Sequence, residues 1–121
     1  MKKILFIEDE SALQKAVSDT LTEHGYEVVQ ALDGEIGIRL AHDKQPDLIL
    51  LDLVLPKKNG FEVLTEIKKD PSIQNIPVII LTNLEGTEEV EKAVALGATK
   101  FLIKANYSLD EILKKIEETI A

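Results

Sequence analysis

The chain has 121 residues, with 22 acids against 14 lysines and arginines, so its formal net charge is -8; a phosphate backbone would be repelled, which argues against direct nucleic-acid contact. Hydrophobic residues make up 45%, enough for the core of one domain, but aromatic residues are only 4% and leave no base-stacking platform. Zero cysteines exclude disulfides and thiolate metal sites, and no apolar run is long enough for a membrane span or, after Lys2-Lys3, for a secretory leader. The expectation is a single cytoplasmic domain over 1–121 with no membrane contact.

The first apolar run, about residues 3–8, closes on Glu8 and Asp9. A helix is predicted next, with Leu13, Ala16, Val17 and Leu21 on one face, Ser11 and Gln14 as a capping box, and Gly25 where a left-handed stop belongs. A second run, about 26–32, precedes a helix over about 34–43 that contains Gly34 and Gly37, with Pro46 beyond its end. The third run, about 47–52, closes on Asp52; Asn59 or Gly60 then opens a helix with Glu62 in its first turn and Phe61, Leu64 and Ile67 on its face.

The fourth run, about 76–81, tolerates Pro77 near its start and is followed by Thr82. Glu88-Glu89-Val90-Glu91 reads as the solvated first turn of a helix marked by Val90, Ala93 and Val94 and stopped at Gly97. The fifth run, about 99–103, closes on Lys104. Ser108 and Glu111 then fit a capping box for a last helix with Leu109, Ile112, Leu113, Ile116 and Ile120 on one face.

The first, third, fourth and fifth runs are near-continuous, as strands buried on both faces are. Five βα units in series predict an α/β fold, a doubly wound parallel sheet of order 2-1-3-4-5 with its switch point between the first and third strands. Ligands of such sheets bind beyond the carboxyl strand ends at that point, which is where Glu8, Asp9 and Asp52 fall, with Thr82 and Lys104 at matching ends. Three carboxylates together resist ionisation unless a cation neutralises them. A hard divalent ion fits, and Mg²⁺ suits a site that keeps several waters. Any one of these acids alone reads equally as a cap; the set argues for a site. His24 and His42 lie near predicted helix ends with no partner at metal-ligand spacing and read as solvated or capping. No Walker or dinucleotide motif is present.

Glu8-Asp9, then Asp52-Leu53-Val54-Leu55-Pro56 with Asn59-Gly60, then Thr82, then Phe101-Leu102-Ile103-Lys104 closely resemble response-regulator receiver domains, the phosphoacceptor modules of two-component signalling. The resemblance covers essentially the whole chain, and Asp33-Gly34-Glu35 and Ala95-Leu96-Gly97-Ala98 share it. It implies a flavodoxin-like fold with Asp52 as the nucleophile. The phosphoryl group would come from a sensor histidine kinase, a phosphotransfer protein or a small donor. It further implies Mg²⁺ held by Asp9, Asp52 and the Val54 carbonyl, with Glu8 reaching the ion through water. Lys104 and Thr82 would each take a phosphoryl oxygen.

The same resemblance implies a switch. Movement of Thr82 would free space for Phe101 to rotate inward and remodel the face of the fourth helix, fifth strand and fifth helix, where a downstream protein would dock. Phe101 reads equally as plain core packing. The domain would act as a monomer or weak dimer and catalyse only its own phosphorylation and dephosphorylation.

Four features depart from the family pattern. Glu8 stands for the more usual Asp, one methylene longer. Ala105 follows Lys104 where most receivers have a proline in a cis bond; a cis non-proline bond costs about 3–4 kcal/mol, so a trans bond and a shifted loop are expected. Asn83 replaces a small residue and narrows the approach. Val54 and Leu84 are apolar where polar groups help orient hydrolytic water, so slow self-dephosphorylation is expected.

Three other functions fit less of the chain. A phosphorylation-independent docking module would not need Asp52, Asp9, Thr82 and Lys104 together. A haloacid-dehalogenase-type phosphohydrolase needs a second acid where Val54 stands, and usually a cap. A flavin mononucleotide binder needs a Ser/Thr-rich loop where Glu8-Asp9-Glu10 stands.

Overall fold

Continuous runs of Ile, Leu and Val can cover both faces only inside a layered sheet. In the computed structural model, which describes residues 1–120, they form β1 (Lys3–Ile7), β3 (Leu48–Leu51), β4 (Val78–Thr82) and β5 (Lys100–Ile103). The two edge strands, β2 (Glu27–Ala31) and β5, are half-buried. The fifth run is therefore not covered on both faces as its continuous apolar pattern suggested, because at a sheet edge one flank stays open. All pairings are parallel, in the order β2-β1-β3-β4-β5. The crossovers are α1 (Ser11–Glu23), α2 (Gly34–Lys44), α3 (Gly60–Lys69) and α4 (Thr87–Ala95), and α5 (Leu109–Ile120) follows the last strand. This is the doubly wound flavodoxin-like fold predicted from the runs. Among the described residues no helix is long and apolar enough to cross a membrane.

Strand parity divides the core. Leu5, Ile7, Ile49, Leu51, Val78 and Ile80 meet Ala41, Val63, Leu64, Ile67 and Ala93 from α2, α3 and α4. Ile4, Phe6, Leu48, Leu50, Ile79 and Leu81 meet Val17, Leu21, Ile112, Leu113 and Ile116 from α1 and α5. Each buried Val, Leu, Ile or Phe among them stabilises the fold by about 1.5–3 kcal/mol over its exposed state.

Helix ends carry the local encoding. The box at α3 is formed: Glu62 N donates to Asn59 Oδ1 at 3.0 Å and Asn59 N to Glu62 Oε1 at 3.2 Å. The box at α5 is formed as well, by Ser108 and Glu111. The box expected at α1 is not. Ser11 is the first helical residue, Glu10 is the N-cap without a side-chain bond, and Gln14 turns into the interior. Gly25 and Gly97 adopt φ of +89° and +104° and stop their helices, because only glycine takes that conformation without strain. Asp33 caps α2 through Ile36 N at 2.8 Å, and Gln45 at φ 48° ends that helix. Pro77 precedes β4, where only its carbonyl is needed; Ile49 N donates to it at 3.0 Å.

Candidate functional site

The register brings strand ends level. Ile7 lies opposite both Ala31 and Leu51, and Thr82 lies opposite Ile103, so the residues that follow emerge at one edge. Two rungs continue past the strands: Glu8 N donates to Ala31 O at 3.0 Å and Asp52 N to Ile7 O at 3.1 Å. Gly60 opens α3 directly against this edge. A Cβ there would strike the Asp52 carbonyl oxygen and come within 2.6 Å of Leu53 Cα, so the close approach requires glycine.

Glu8 and Thr82 are fully buried, Asp52 nearly so, and Asp9 is exposed. Lys104 joins them from beyond β5. Its Nζ donates to Asp52 Oδ2 at 3.0 Å and lies 2.7 Å from Glu8 Oε1, an ion-pair contact without hydrogen-bond geometry. Glu10 N donates to Glu8 Oε2 at 3.1 Å, Val54 N to Asp52 Oδ1 at 3.3 Å, and Leu84 N to Thr82 Oγ1 at 3.3 Å.

Burial pushes the Glu8 carboxyl above the usual carboxylate range, and the charge on Asp52 adds to this; Lys104 and the Glu10 N–H oppose it without cancelling it. For Lys104 burial favours the neutral amine, but Glu8 and Asp52 together outweigh that and hold it as an ammonium above its ordinary value.

Oxygens of Glu8, Asp9 and Asp52 lie within 4.8 Å of one another. Three carboxyl groups face a single ammonium, Lys104, so the cluster gathers more acid than one cation balances. That all-oxygen set fits a hard divalent cation. The cleft has a volume of about 240 Å³, and its walls add Val54, Thr82 and Asn83. Val54 is 58% exposed and Leu84 half-buried. The Lys104–Ala105 bond is trans, as expected for alanine, and a 3-10 turn, Lys104–Asn106, fills the loop before α5.

Thus Glu8, Asp9, Asp52, Thr82 and Lys104 converge with Val54. Phe101 stands apart on β5, half-buried against the α2, α3 and α4 layer. A larger groove, about 360 Å³, runs along α3 and α4 past Phe61 and Leu96, but gathers no comparable set of oxygen ligands. His24 Nδ1 donates to Thr20 O (2.9 Å) at the end of α1, whereas His42 sits 3.2 Å from Asp70. Sequence reasoning missed Gln14, whose amide reaches the Glu8 carbonyl. The available signal was its place with Ser18 in the stripe of Val17 and Leu21, where a polar pair four apart must find partners indoors.

Residues 4–117 match the family model of the response regulator receiver domain. The chain belongs to that family. It is a receiver domain of the two-component response regulators, a signalling module. The DNA-binding dual master transcriptional regulator RpaA of Synechocystis sp. is 40% identical over 116 residues, covering 96% of this chain and 48% of that protein. The transcriptional regulatory protein CiaR of Streptococcus pneumoniae is 40% identical over 117 residues, 97% of this chain and 50% of that protein. The receiver therefore spans about half the length of these curated relatives. Among solved structures, chemotaxis protein CheY4 of Vibrio cholerae superposes with a TM-score of 0.92 at 29% identity, covering 100% of this chain and 99% of the other. The Mn(2+)-bound form of response regulator Rcp1 gives 0.83 at 32% identity, with 98% and 91% covered.

Proposed function

We propose that this receiver accepts a phosphoryl group on Asp52 and converts it into a change of protein contacts. The observation that carries this is the convergence of Lys104 Nζ on Glu8 and Asp52 beside the exposed Asp9, with the Thr82 hydroxyl in the same cleft. The donor is the phosphohistidine of a sensor histidine kinase or phosphotransfer protein, or a small phosphoryl compound. An Asp52 carboxylate oxygen attacks phosphorus in line, the P–N bond breaks, and its electron pair leaves on the imidazole nitrogen.

Charge then spreads over the equatorial oxygens. Lys104 exchanges its hydrogen bond to Asp52 for one of them. Thr82 Oγ1 accepts from Leu84 N and so keeps its own proton to donate to another. Asp9, Asp52 and the Val54 carbonyl would hold Mg²⁺, with Glu8 acting through water, and the ion would supply charge neutralisation at the reacting oxygens. The existence of an Mn(2+)-bound form of a 32% identical response regulator supports divalent-ion binding here.

The switch follows from the same bonds: Thr82 shifts toward the phosphoryl group, Phe101 turns inward, and the α4, β5 and α5 face is remodelled for a downstream protein. The whole of 1–121 acts as one domain, monomeric or weakly dimeric, with no catalysis beyond its own phosphorylation and dephosphorylation. The net charge of -8 keeps nucleic acid away from this domain itself. Metal removal tests the chemistry. With acetyl phosphate, Mg²⁺ is expected to give an acyl phosphate that hydroxylamine cleaves, and chelation to abolish it; equal labelling with and without Mg²⁺ would contradict the metal's role.

A further inference from the structure

We infer that Gln14 is a positioning residue for the acid pair, its buried amide fixing the Glu8–Asp9 peptide from which two of the three clustered carboxylates hang. Gln14 is 3% exposed and Ser18, one helical turn later, 4%. Gln14 Nε2 donates toward Phe6 O at 3.1 Å and toward Glu8 O and Ala31 O at 3.3 Å each. Ser18 Oγ donates to Gln14 Oε1 at 3.1 Å. Two N–H groups serve three carbonyls, so the amide has one workable orientation, and the Ser18 hydroxyl satisfies its other end.

These bonds join the ends of β1 and β2 to α1 at the point where the chain leaves the sheet. Ala31 O also receives Glu8 N, so Glu8 is held at its nitrogen by the neighbouring strand and at its carbonyl by Gln14. That carbonyl belongs to the peptide linking Glu8 to Asp9. Rotation of this peptide would swing the two carboxylates relative to each other and to Asp52, and groups that orient metal ligands from behind typically change affinity 10- to 100-fold when removed.

The inference rests on the metal-binding role proposed above for the acid cluster. Its test is calorimetric titration of the whole chain with Mg²⁺ for the parent, Gln14→Met and Ser18→Ala, each checked by thermal melting. Methionine keeps the side-chain volume and removes both donors. Gln14→Met is expected to bind Mg²⁺ about tenfold or more weakly while still folded, and Ser18→Ala about two- to fivefold more weakly. A purely structural role would lower the melting temperature without moving the affinity of the folded protein. A folded Gln14→Met with the parent's affinity would therefore overturn the inference. If Gln14→Met fails to fold, Ser18→Ala decides: weaker binding upholds the role and unchanged binding overturns it. Absence of Mg²⁺ binding by the parent would instead sink the metal-site reading, and this inference with it.

Discussion

Glu8 shows how a residue can cost the free protein stability and still suit its site. Its carboxyl is raised in the folded chain, by burial first. The folded chain therefore keeps that proton over a pH range in which the unfolded chain has released it. By linkage, stability falls as pH rises through that range and stays lower above it. Glu8→Gln removes the titration. Without metal, the parent's melting temperature is expected to fall relative to Glu8→Gln as pH rises above the ordinary carboxylate range. Asp70 and Glu111, whose carboxyls are lowered by bonds to Ser72 and Ser108, work in the opposite sense at lower pH but are common to both proteins. Mg²⁺ favours the carboxylate and is expected to reverse the order. Parallel melting curves across pH would contradict this.

Val54 and Leu84 bear on lifetime. Val54 lies in the cleft wall with its side chain largely exposed, and offers no polar group to hold an attacking water. The phosphorylated form is expected to persist for many minutes or longer, and Val54→Asn to shorten it; decay of the parent within seconds, followed by mass spectrometry, would contradict the account. The acids, Thr82 and Lys104 were legible in the sequence because each terminates an apolar run. Gln14 was not, because a glutamine three residues after a serine mimics a cap. Only tertiary packing shows that its partners are strand carbonyls.

At the scale of elements, the start of α3 sets the position of Asp52. Gly60→Ala places a methyl against the Asp52 carbonyl and Leu53, an overpacking that typically costs about 1–3 kcal/mol. Gly25→Ala makes a useful control: nothing lies near its Cβ, and its cost is backbone strain of about 1–2 kcal/mol at positive φ. Both variants are expected to melt lower, but only Gly60→Ala to slow phosphorylation at saturating Mg²⁺; equal rates would show that Asp52 tolerates displacement of α3. The boxes at α3 and α5 were legible because their partners are local. The α1 box failed because the buried carbonyls at the end of β1 compete for Gln14. The strand ends at Ile7, Leu51 and Thr82 depend on pairing with neighbours, which no local pattern specifies.

For the whole molecule, alternation of runs and helix-period segments carried the fold, since right-handed crossovers leave few ways to arrange five βα units. The arrangement then dictated the site, because a parallel sheet gathers every carboxyl strand end at one edge. Replacing the Asp52 carboxylate by an acyl phosphate would add only about 0.5 to 1 further negative charge to a domain already at -8, and such a surface suits a protein partner better than a polyanion. Relatives named as transcriptional regulators are about twice its length.

The most direct measurement is intact mass after incubation with phosphoramidate and Mg²⁺, with Asp52→Asn alongside. The expected result is one added phosphoryl group on the parent, and none on Asp52→Asn or on the parent without Mg²⁺. A phosphoryl group on Asp52→Asn, or none on the parent with this donor or acetyl phosphate, would contradict the assignment of Asp52 as the acceptor in this cleft.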